Sequence, residues 1–181
     1  TRRLSAEGRR DPDSPCTVSD TTTGLLGRRE IPCVAGMPGR CNPPWYTALE
    51  RSGTLGHVLA RHGQGAGFIA KGMARTSGKP AVFFATSGPG ATNTLTALAD
   101  AKLDSGPIIC ITGQVSCSMI GTDAVQEVDI YGMSVPITKH NFLVHSLEEL
   151  ARVIPEAFTI AASGRPGPVL IDIPKDVQCA P

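Results

Sequence analysis

The chain has 181 residues, enough for one domain of ordinary size, with 41% hydrophobic and 18% charged residues. Seventeen basic residues against sixteen acidic ones leave a formal charge of +1, and aromatic residues make up only 4%. Such a balance offers neither a basic surface for a phosphate backbone nor a platform for stacking bases, which excludes a nucleic-acid partner. No apolar run approaches the ~20 residues of a membrane-spanning helix, so no membrane partner is expected.

Residues 1–30 carry six arginines, five acids and a run of Ser and Thr without an apolar period. This composition predicts an unordered segment separate from the domain that follows. The arginines suit a transit peptide, but the acids do not. From residue 31 short apolar runs alternate with stretches of helical spacing. Strands are expected over 31–36, 57–60, 81–85, 108–112, 142–144 and 169–173, and helices over 44–51, 64–76, 91–103 and 147–162. Ser146, with Glu149 three residues later, reads as a capping box opening the last helix. Apolar strands separated by helices predict an α/β, doubly wound, mainly parallel sheet of about six strands with helices on both faces, forming one domain over 31–181. Right-handed crossovers place the strand-to-helix turns on one edge, where a ligand is expected.

Four glycine-bearing turns fall on that edge. They hold Gly36, Met37, Pro38 and Gly39; His62 to Gly65; Thr86 to Gly90; and Thr112, Gly113 and Gln114. Any α/β domain needs turns at such points, but four on one edge point to a binding site for a flat or anionic ligand. Gly65, Gly67 and Ala70 match a G-x-G-x-x-A dinucleotide fingerprint, which leaves a nicotinamide-binding module as an alternative. The next strand ends in Thr86 and Ser87, without the acid that would hold a ribose. Ser87 lies in Thr-Ser-Gly rather than G-x-S-x-G, and no Walker-type lysine follows a glycine loop. His140 and His145 have no companion acid, and the cysteines at 16, 33, 41, 110, 117 and 179 form no C-x-x-C pair, so no metal site is expected. Unpaired, scattered cysteines suit a reducing, cytoplasmic setting.

The strings ARHGQGAGFIAKGMARTSGKPAV, ATSGPGATNTLTALADAKLDS, PIICITGQV, MIGTDAVQEVDIYGMSVPITKHNFLV and SGRPGPVLIDIPKDVQ cover residues 55–178 almost without a gap. Together they resemble the catalytic subunits of the acetolactate synthase (acetohydroxyacid synthase) family, bacterial forms above all. The resemblance implies the pyrimidine-binding domain of a thiamine-diphosphate enzyme, with a middle domain and a Mg²⁺-holding diphosphate-binding domain lying outside this chain, and with FAD as a further family cofactor. It implies decarboxylation of pyruvate on thiamine diphosphate and addition to a second 2-oxoacid, in branched-chain amino acid synthesis. It also implies a homodimer, or pairing with a full-length subunit, together with a regulatory subunit.

Carried over residue by residue, the resemblance puts Pro38 and Gly39 in the turn near the reactive thiazolium carbon. Gly88, Pro89, Gly90 and Asn93 fall in the loop lining the aminopyrimidine, and Gln126 and Lys175 near substrate and flavin; Gln114, from its turn on the same edge, is the further cofactor-binding candidate. Gly63 stands where the family has a glutamate that shares a proton with the aminopyrimidine ring. A group of this kind contributes ~10²–10⁴-fold, and glycine supplies none of it. Arg40 and Cys41 replace a small pair beside the pocket, Val125 replaces a Phe, and the family's first amphipathic helix is not legible before Ile31. The expected outcome is an inactive fragment, with an inactive partner of full-length subunits as the second reading, suggested by an apolar helix over 91–103.

Overall fold

The computed structural model of the chain describes residues 16–181. Its centre is a six-stranded sheet with every neighbouring pair parallel, in the order β2-β1-β3-β4-β6-β5. The strands are β1 (Cys33–Gly36), β2 (Gly56–Leu59), β3 (Ala81–Ala85), β4 (Ile108–Gln114), β5 (His140–Leu143) and β6 (Val169–Pro174). All six expected strands are present, with ends displaced by two residues or fewer. The central strands β3, β4 and β6 are buried along their whole length, whereas the edge strand β2 is exposed throughout.

Alternation along each strand feeds two separate cores. Val82 and Phe84 of β3, with Ile109 and Ile111 of β4, meet α1 (Val18–Gly27), α2 (Pro43–Ser52) and α7 (Leu147–Ala162). Phe83, Ile108 and Cys110 face the other way, onto α3 (Gly63–Ser77), α5 (Leu95–Leu103) and α6 (Ile130–Ser134). The doubly wound arrangement is therefore observed. The second layer is thin because α3 presents Ala66, Ala70 and Ala74 to the sheet. Gly67 of α3 leaves so little room that any β-carbon would run into Ala97 of α5 and come against the Phe83 ring. Gly65 and Gly67 thus lie inside a helix, where Gly67 permits close packing. The nicotinamide fingerprint needs its glycines in the turn before the helix, so that alternative fails.

The structure departs from expectation over residues 16–30. Instead of an unordered stretch, Thr17 and Asp20 form a reciprocal capping box, and α1 runs from Val18 with Val18 and Leu26 fully buried. The first fifteen residues lie outside the described part of the chain. The composition hides this helix because its buried face includes Ser19, Thr22 and Thr23. The hydroxyls of Thr22 and Thr23 donate to the carbonyls of Val18 and Ser19 one turn back, at 2.8 and 2.9 Å, so they enter the core satisfied. The Ser19 hydroxyl donates to the Gln178 carbonyl at 3.0 Å, tying this helix to the far end of the chain.

Two other local readings need adjustment. The helix expected over 91–103 is two helices, α4 (Pro89–Thr92) and α5, because the Thr94 hydroxyl donates to the Ala91 carbonyl at 2.6 Å where they join. At the start of α7 the Ser146 hydroxyl accepts from the Glu149 amide, but the Glu149 carboxylate accepts from His145 rather than from Ser146. A last short helix, α8 (Lys175–Cys179), follows β6 directly.

Candidate cofactor-binding cleft

In the strand order, β2 lies on one side of β1 and β3 on the other, so the chain reverses its direction of winding between β1 and β3. In open parallel sheets such a switch point opens a crevice at the carboxyl ends of the strands. The turns bearing Pro38, Gly63, Gly88 and Gln114 all leave strand ends or enter a helix on this rim.

The turn after β1 is held from three sides. Asn42, fully buried, accepts from the Gly39 amide at 2.7 Å and donates to the Met37 carbonyl at 3.2 Å, which closes the turn on itself. Across the crevice, the Thr86 hydroxyl accepts from the Cys41 amide at 3.0 Å, and the Ser87 hydroxyl donates to the Cys41 sulfur at 3.1 Å. Behind it, the buried Gln178 amide donates to the carbonyls of Cys41 and Ile173 at 2.8 and 2.7 Å. Pro38 and Arg40 are both exposed in this turn. Cys41, between them and the sheet, is 3% exposed.

Opposite, Gly88 has φ of +58°, a conformation that suits glycine, and a β-carbon there would meet the backbone and β-carbon of Gln126 within 3.0 Å. Gln126 is thereby brought from a distant loop to the Gly88 turn. Pro89 and Asn93 are exposed on the same rim, while Gly90 is buried. Gly63, at the first position of α3, is buried against α4. A β-carbon there would lie 2.8 Å from the Gly90 carbonyl oxygen, 3.3 Å from Thr94 and 3.4 Å from Asn93. Beside it, the His62 ring nitrogen accepts from the Gln64 amide and caps α3.

Gln114 is placed differently from a ligand-facing group. It is 4% exposed; its amide donates to the Asp172 carboxylate at 3.0 Å and to the Val128 carbonyl at 2.9 Å, and its oxygen accepts from the Val115 amide. Asp172 also accepts from the Thr112 hydroxyl at 2.6 Å. Burial pushes this carboxyl up to about 7, against the two hydrogen bonds, with Asp129 adding like charge. Lys175 is exposed at the start of α8, in the β6 turn of the same rim. Among the described residues no group of His, Cys, Asp or Glu could hold a metal ion.

The family model described as "Thiamine pyrophosphate enzyme, N-terminal TPP binding domain" matches residues 16–133, beginning just before α1. The chain belongs to this family. It is 63% identical over 164 residues to the acetolactate synthase isozyme 1 large subunit of Escherichia coli (strain K12), covering 91% of this chain and 29% of that protein. The isozyme 2 large subunit of the same organism is 60% identical over 155 residues (86% and 28%), and the chloroplastic acetolactate synthase of Arabidopsis thaliana is 52% identical over 167 residues (92% and 25%). The chain therefore spans little more than a quarter of the length of these relatives.

Asn42, Thr86, Asp172 and Gln178 shape the cleft, and of these only Thr86 lies in a turn that its glycines singled out. Asp172 had a signal, an acid between two isoleucines in a buried strand, which is where a carboxyl becomes perturbed. Asn42 signals a turn by its residue type, three residues after Gly39. Gln178 has no local signal, because its partners are 137 and five residues away.

Proposed function

We propose that this chain is the pyrimidine-binding part of an acetolactate synthase-type enzyme, and that its cleft receives the aminopyrimidine of thiamine diphosphate but cannot handle its proton. The observation that carries this reading is the gathering of Pro38, Gly39, Gly63, Gly88, Pro89, Gly90 and Asn93 on one switch-point rim, in a chain 51–63% identical to acetolactate synthases. The cleft offers turns of main chain to a flat ring, with Gly88 packed on Gln126 and Gly90 on Thr86. It does not fit the ring's acid–base needs, because the atoms nearest a side chain at 63 are uncharged.

Thiamine diphosphate, when bound, supplies an electron sink for the carbon left by decarboxylation. The chain's own part is to orient. Asn42, Thr86 and Gln178 hold the Pro38–Gly39 turn rigid, and Gln126 and Lys175 lie on the rim where a 2-oxoacid carboxylate would find an amide and an ammonium. No group at 63 holds or moves a proton. The complete cytoplasmic protein would contribute Mg²⁺ through its diphosphate-binding domain, FAD, a second subunit facing this cleft and a regulatory subunit. The isolated chain is then inactive.

The test is a chimera in which residues 16–181 replace the matching part of the E. coli isozyme 1 large subunit, made with Gly63 and with Gly63→Glu. The substituted form is expected to make acetolactate from pyruvate, and the Gly63 form to be slower by ~10²–10⁴. A folded Gly63→Glu chimera that makes none contradicts the reading.

The second reading, an inactive partner of full-length subunits, rests on a smaller surface than the sequence suggested. Ala97, Leu98 and Ala101 of α5 are buried, leaving Leu103 (77% exposed) as its exposed large apolar side chain. Co-purification with an intact large subunit tests it, and a strictly monomeric chain without a partner excludes it.

A further inference from the structure

Gln126 is exposed and holds a left-handed backbone, with φ of +64°, which a non-glycine residue keeps only where its surroundings enforce it. The two residues after it supply the enforcement. The Glu127 carboxylate accepts from the amides of Gly121, Thr122 and Ala124, the last two at 3.2 and 3.1 Å, folding the loop before Gln126 into a compact turn. The Val128 carbonyl accepts from Gln114, and the other amide hydrogen of Gln114 goes to Asp172. The Glu127 anchor is internal to the loop. The Gln114 anchor ties the loop to the sheet by hydrogen bonds, beside the packing of Val128 against the core.

We infer that Asp172, acting through Gln114, is the positioning residue that keeps Gln126 packed against Gly88. Asp172 itself is 2% exposed and beneath the cleft, so it touches no ligand. Its carboxylate makes the Gln114 bond charge-assisted, and a charge-assisted bond is roughly twice as strong as a neutral one. With Asp172 ionised, the Gln114 amide is fixed toward Val128; with Asp172 protonated, that orientation is held less firmly. The ionisable groups facing Asp172 are Asp129 at the start of α6 and Cys110 on β4, and β5 brings Leu143 alongside. Asp129 accepts from the Gly132 amide at 2.8 Å, so it is occupied in capping α6. The importance of Gln126 rests on the function proposed above, but the coupling from Asp172 to the Gly88 turn does not.

The test is made on the full isotopically labelled chain without any cofactor, so it stands or falls separately from the cofactor reading. The Asp172 carboxyl carbon and the amides of Gly88, Gln126 and Val128 are followed by NMR from about pH 5 to about pH 9. All four are expected to titrate together, near 7. In Asp172→Asn the three amides stay flat through this range. In Thr112→Val, which removes a hydrogen bond that favours the ionised carboxyl, the midpoints of the carboxyl and of the three amides rise together. Flat amides in the unsubstituted chain overturn the inference, whatever the variants do. So does a carboxyl that fails to titrate in this range, an amide titration that survives Asp172→Asn, or amide midpoints that stay put in Thr112→Val.

Discussion

Gly90 presents its carbonyl oxygen to Gly63 at only 2.8 Å from the point a β-carbon would occupy, closer than real β-carbons come. The start of α3 packs directly onto backbone here. A side chain at 63 therefore has to push α4 back before it can reach the cleft.

Two effects of opposite sign meet in Gly63→Ala. Greater helix propensity stabilises by up to ~1 kcal/mol, while overpacking costs about 1–3 kcal/mol. Because the obstructing atom is backbone, overpacking is expected to win, with a net loss of roughly 1–2 kcal/mol. Urea unfolding followed through Trp45, the single, fully buried tryptophan, measures it. An unchanged or raised midpoint would show that α4 yields freely.

Asp172 makes stability depend on pH. Its carboxyl titrates near 7 in the folded chain and near ~3.9 when unfolded, so between those values the folded state binds the extra proton. Stability is greatest, as far as this group is concerned, below about pH 4 and falls as pH rises to about 7, by on the order of 4 kcal/mol. Asp172→Asn removes this slope and raises stability at pH 8, less the cost of poorer hydrogen bonding to Thr112 and Gln114. Denaturant titrations of both chains between pH 4 and 8 check the sign.

The N-terminal helix is open to a graded test. Leu26→Ala should cost about 2–5 kcal/mol, as a fully buried leucine does. Ser19→Ala should cost about 1 kcal/mol, because it leaves the Gln178 carbonyl without its donor. Thr22→Val should be nearly neutral, since the Val18 carbonyl loses only a local hydroxyl. Thermal melts that show no loss for Leu26→Ala would mean this helix is not part of the cooperative unit.

Most of the fold was legible because hydrophobic runs separated by helical stretches leave few arrangements open. The six strands and the long helices α3 and α7 emerged with small end errors, and the rim of turns followed from the parallel sheet. The helix α1 was not legible, because part of its inward face is Thr and Ser whose hydroxyls bond within the helix or to a segment some 160 residues away. At the cleft, the turn glycines could be read from order alone, whereas the reading of Gly63 as the place of a lost acid rests on the family resemblance. The roles of Gln114 and Gln178 could not, since a glutamine amide serves a ligand and a buried carbonyl with equal ease until its partners are known.

The central claim is that Gly63 deprives the cleft of proton handling while leaving the ring's place intact. The most direct measurement is hydrogen–deuterium exchange at the reactive thiazolium carbon of thiamine diphosphate, in the chimera with Gly63 and with Gly63→Glu. The Gly63 form should exchange ~10²–10⁴-fold more slowly than the Gly63→Glu form while still binding the cofactor. Equal exchange rates in the two chimeras would contradict the account.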